Sequence, residues 1–87
     1  MMSHYGSNCD VIGAPYILSE NHCKKAAEAL QLQWKLWTNW NVHPRGCYET
    51  NSGNVFFNRI EDGRTNNETR NICKKSIHVI SLFLIHR

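Results

Sequence analysis

The residues of this 87-residue chain best placed to do covalent chemistry are four cysteines, Cys9, Cys23, Cys47 and Cys73. Thiols can pair as disulfides, ligate a metal or attack a substrate. Spacing separates these chemistries. The intervening segments hold 13, 23 and 25 residues, and no C-x-x-C pair occurs. Structural zinc sites usually draw paired ligands two to four residues apart. The nearest histidine, His22, is adjacent to Cys23, and neighbours on a helix point about 100° apart. A metal centre is not expected, nor any other cofactor. An even count in so short a chain indicates a disulfide framework, with three connectivities open. We favour Cys9–Cys73, which ties the two edges of the domain, and Cys23–Cys47, which pins a helix to a hairpin. Such bonds belong to an oxidising compartment, secreted or cell-surface.

Catalytic constellations are weaker. The only close acidic pair is Glu61-Asp62, and it falls in a polar loop. His43 lies four residues before Cys47, but a bonded cysteine is no nucleophile. No G-x-S-x-G, P-loop or H-E-x-x-H occurs. The chain does not read as an enzyme. Its net charge of +3 is mild, and its Lys and Arg are scattered. A nucleic-acid footprint needs a basic patch or run, so no nucleic-acid partner is expected. A membrane enters only through a possible parent chain.

The elements that must position the cysteines come next. An apolar share of 41% suits a folded protein. So short a chain buries a small core, which is where disulfides are most needed. Ser19 reads as an N-cap, with Leu18 and Cys23 placed for a hydrophobic staple. Cys23, Ala26, Ala27 and Leu30 then recur on one helical face. The pattern predicts a helix over 19–32, which Gln33–Trp37 would prolong. Cys47–Thr50 and Val55–Phe57 flank a Gly/Asn-rich turn and predict a hairpin. Asn71-Ile72-Cys73 is a candidate last strand. The fold class is α+β: one helix packed on a two- or three-stranded antiparallel sheet.

The module is expected to span 9–75. Residues 1–8 read as a frayed N-terminus. The apolar stretch 76–87 is too short to span a bilayer and is expected outside the domain. The start, MMSHYGSNCD, has neither the basic nor the apolar region of a signal peptide. A secreted home then implies either a fragment or processed product of a longer parent chain or a misassigned start.

Contact residues come from turns and hairpin ends, where binding side chains concentrate. These are Trp34, Trp37, Arg45, Tyr48 and Asn54. Trp34 and Trp37 would form an aromatic platform for a sugar ring, whereas Trp40 reads as core. Of Phe56 and Phe57, adjacent in a strand, one should be core and the other not. Asn67-Glu68-Thr69 is an N-glycosylation sequon in a surface loop, with Asn67 the acceptor.

Taken together, Leu18-Ser19-Glu20, Cys23, Ala26-Ala27, Ala29-Leu30, Trp40-Asn41, Gly46-Cys47-Tyr48, Asn54 to Asn58 and Ile72-Cys73 resemble a small cysteine-bearing module. That module recurs in secreted and cell-surface proteins of marine protists, algae and some invertebrates. The resemblance covers residues 9–73. More distantly the chain is similar to apple/PAN-type modules, which carry a denser central cysteine pattern. The resemblance implies an extracellular setting, and the PAN likeness implies a protein or carbohydrate ligand. The expected function is extracellular recognition or a structural unit without catalytic activity. The alternative is a secreted small cationic effector, such as a toxin or antimicrobial peptide.

Overall fold

The computed structural model describes residues 2–74. The stretch 76–87 lies outside the described residues, as does the last residue of the expected 9–75 module. Helix α1 spans Glu20–Ala29 and is capped by Ser19, whose Oγ accepts from His22 N at 3.3 Å. Cys23 and Ala27, one turn apart, are its buried residues. The helix stops three residues earlier than its apolar pattern predicts. Gln31 enters the left-handed region (φ 59°). Gln31 N donates to Glu28 O and Leu32 N to Ala27 O, which is a Schellman closure made without glycine.

That reversal frees the next residues to become strand β1, Gln33–Thr38, rather than more helix. Strands β2 (Gly46–Thr50) and β3 (Asn54–Asn58) form the expected hairpin, and β4 (Thr69–Asn71) pairs with β2. The sheet order is β1-β3-β2-β4. It therefore has four strands and is mixed, because β1 runs parallel to β3. The fold is α+β, as expected, but its sheet is neither two- or three-stranded nor purely antiparallel.

Both favoured disulfides are present. Cys23–Cys47 joins α1 to β2, and Cys9–Cys73 joins the N-terminal segment to the end of the sheet. Around the first gather Ile17, Ala27, Val55, Phe57 and Ile72. Around the second gather Ala14, Ile12 and Tyr16. Residues 2–8 are not frayed against solvent. Met2 bridges Ile72, Ser3 N donates to Asn71 O and Gly6 N to Thr69 O. This segment covers the outer edge of β4, which would otherwise be unpaired. The buried carboxylate of Glu49 is matched by Arg70 across the β2–β4 pair, with Nε donating to Oε1 at 2.7 Å.

The two disulfides close loops of very different length, 24 and 64 residues. In the chain-entropy treatment, replacing Cys23 and Cys47 by Ala lowers stability by about 3 kcal/mol, and replacing Cys9 and Cys73 by about 4 kcal/mol. Urea unfolding of the two double variants checks the ranking. A greater loss from the 24-residue loop would mean that packing around Cys23, not chain closure, sets its contribution.

Candidate functional site

The sheet has two faces with different chemistry. Cys47, Val55 and Phe57 point toward α1, so Tyr48, Phe56 and Asn58 point away from it. The three tryptophans do not share one platform. Trp34 and Trp37 are three apart and would face opposite sides of a regular strand. The register slips between them, pairing Trp34 with Val55 and Trp37 with Phe57. This bulge puts both rings on the α1 side. Trp34 packs against the core, while Trp37 is 43% exposed. Trp40, expected in the core, is half exposed on the opposite face beside Phe56 and His43.

On that opposite face Tyr48 is fully buried and so cannot touch a ligand, against expectation. Its ring lies stacked between His43 (5.3 Å) and Phe56 (5.6 Å). The loop carrying His43 is held down by Asn58. That side chain donates from Nδ2 to Trp40 O, His43 O and Pro44 O, and accepts at Oδ1 from Trp40 N and Ile60 N. Gly63 locks the same loop from outside. A side chain there would collide with His43 O and Arg45 N. Asn54, the last expected contact, sits at the far end of the hairpin and bonds to Ser52 Oγ.

The surface that does collect exposed chemistry lies at the N-terminal end of α1. Leu18, Arg45, Phe57, Asn58, Arg59, Ile60 and Glu61 line a groove of about 280 Å³. Leu18 is 55% exposed and lines this groove. Two guanidinium groups stand over aromatic rings here. Arg59 lies 3.8 Å above Trp37 and pairs with Glu20 Oε1 at 3.0 Å, whereas Arg45 lies 5.2 Å above Tyr16. A cation over a ring face is attracted by the ring's quadrupole. The Arg59 side chain is half exposed, so its guanidinium keeps contact with solvent. Of the expected contacts, then, Arg45 lines the groove, Trp37 adjoins it through the Arg59 guanidinium over its ring, and Trp34, Tyr48 and Asn54 do not line it. Arg59, Leu18 and Ile60 were not anticipated. The signal for Arg59 is its position two residues after Phe57, which puts it on the same strand face.

Two tyrosines are perturbed. Burial pushes the Tyr48 hydroxyl above its ordinary value of 10, outweighing the opposite pull of the Thr38 hydroxyl. The buried Tyr48 and Thr38 hydroxyls have no hydrogen-bond partner among the described residues. Tyr16 is raised first by burial and then by the charge of Asp10, to whose Oδ2 its hydroxyl donates at 3.2 Å.

Among the described residues no helix is long and apolar enough to cross a membrane, and no cluster of three or more metal-ligating side chains occurs. The disulfides belong to an oxidising environment. Compared with protein-family models, with characterised proteins and with solved structures, the chain matches none.

Two expected outcomes follow from this geometry. A tyrosine pKa raised in the fold stabilises at pH below about 10, the unfolded value, and that stability is lost as pH climbs through the native value. Tyr48→Phe should therefore flatten the fall in unfolding free energy above about pH 10, read by urea titration. A fall as steep as that of the parent would exclude Tyr48 as its source. Asn58→Ala strips partners from three carbonyls and two amides, so thermal and urea unfolding should show a loss of about 2–4 kcal/mol.

Proposed function

We propose that this protein is an extracellular recognition module without catalytic activity, and that it engages a carbohydrate ligand along the groove beside Trp37. Supporting this is one arrangement above the others: a partly exposed indole with the Arg59 guanidinium 3.8 Å from its ring centroid, next to a groove whose apolar lining is Leu18, Phe57 and Ile60. An aromatic ring offers a sugar a large contact area at low entropy cost, and the guanidinium supplies hydrogen-bond donors at its edge. Arg45 places a second set of donors across the groove. Covalent closure by two disulfides suits a secreted or cell-surface setting, where the ligand would be met.

The test is an array of neutral and acidic oligosaccharides probed with the oxidised protein, followed by titration of any binder. Trp37→Ala and Arg59→Ala should each weaken binding by about tenfold or more, equivalent to about 1.4 kcal/mol. Trp40→Ala, on the other sheet face, should leave it unchanged. Silence across the array, or dependence on Trp40 in place of Trp37, would defeat the assignment.

A further inference from the structure

The sequon Asn67-Glu68-Thr69 plays no part in the groove, and its two ends meet opposite fates in the fold. Asn67 is exposed. Its Oδ1 sits near Gly6, where an added Cβ would lie 3.0 Å away, and its Nδ2 makes no hydrogen bond among the described residues. The folded protein thus has room for a bulky group on that nitrogen. Thr69 is the reverse. It is 1% exposed and belongs to β4, paired with Thr50. Its hydroxyl donates to Asn66 O at 3.4 Å, and its carbonyl is covered by Gly6 N. The intervening turn is fixed from both sides. Glu68 N donates to Asn66 Oδ1 at 2.9 Å, and Asn51 N to Glu68 O at 2.9 Å.

We infer that Asn67 is an N-glycan acceptor that is modified only before the domain closes. A transferase reads the asparagine together with the hydroxyl two residues on. In the native state that hydroxyl is buried and bonded to Asn66 O, on a strand whose edge is paired by the N-terminal segment that the Cys9–Cys73 bond holds in place. The fold therefore tolerates the product and excludes the reaction. Asn67 Nδ2 bonds to the anomeric carbon of a lipid-pyrophosphate-linked oligosaccharide. The sugar–phosphate bond breaks, the lipid pyrophosphate leaves with the electron pair, and the amide releases one proton. Cys73 lies six residues after Asn67, so disulfide closure competes directly with transfer. This inference rests on the extracellular reading, since donor and enzyme meet the chain only on a secretory route.

The experiment is secretion of the full chain behind a leader peptide in a glycosylating eukaryotic host. One glycan should appear as a mobility shift removed by peptide N-glycosidase, absent in Asn67→Gln and kept in Thr69→Ser. The fraction glycosylated should rise in Cys9→Ser/Cys73→Ser, and this readout does not require folding. In a second arm, unglycosylated oxidised protein and its dithiothreitol-reduced form meet transferase-bearing membranes with the lipid-linked donor. Only the reduced chain should accept the sugar. Disulfide-bonded secreted protein with no glycan overturns the acceptor assignment, and equal acceptance by both forms overturns the closure rule. Secreted chain lacking the disulfides would instead overturn the extracellular reading.

Discussion

Helix α1 meets the sheet through small side chains, and the bond from Cys23 to Cys47 is what keeps it there. Only Cys23 and Ala27 of the helix are fully buried, against Val55, Phe57 and Ile72 below. So thin an interface contributes little apolar burial. Without the cross-link, few contacts would favour this helix position over others. Because Cys47 sits in β2 and β2 pairs with both β3 and β4, one covalent bond anchors the helix to three strands. The Cys9–Cys73 bond does the same for the N-terminal segment, which then caps the β4 edge.

The second constraint is polar. Among the largest fully buried side chains are Asn58 and Asn71, in places where a bigger protein would put leucines. A buried amide costs free energy unless it is hydrogen-bonded. Asn58 satisfies this by gathering backbone groups of Trp40, His43, Pro44 and Ile60. Asn71 does so only in part, donating from Nδ2 to Arg45 O and Cys47 O while its buried Oδ1 has no hydrogen-bond partner among the described residues. Loops that no apolar core could hold are thereby fixed by geometry. The same loops bury Tyr48 and set Arg45 at the edge of the groove.

The division between the two sheet faces follows from these anchors. On the α1 side the bulge in β1 turns Trp37 toward Arg59 and leaves it half open to solvent. On the other side, in a stack running Trp40, His43, Tyr48, Phe56, Tyr48 alone is fully buried, His43 and Phe56 are partly exposed and Trp40 is half exposed. A cation-stacked indole on one face and an aromatic stack on the other are thus made from residues close in sequence. Their separation depends on one extra residue in a strand.

What the sequence determined by itself was local or covalent. Ser19 and the Cys23–Ala27 spacing specify the helix and its buried face, and the Asn/Gly turn specifies the hairpin. The two disulfide pairings followed from placing Cys23 on that buried face and the other two cysteines at the domain edges. The alternation Gln33-Trp34-Lys35-Leu36 also carried a strand signal, but it abuts a helix with no glycine to end it, so the helical reading prevailed. Only the tertiary structure decided that Gln31 would adopt a left-handed conformation, that β1 would lie parallel to β3, and that Tyr48 rather than Trp40 would be buried. The physical reason is that these depend on partners distant in the chain. A strand's neighbour, a ring's cover and a loop's anchor are chosen by what the whole fold can bury and hydrogen-bond, and local pattern holds no record of that choice.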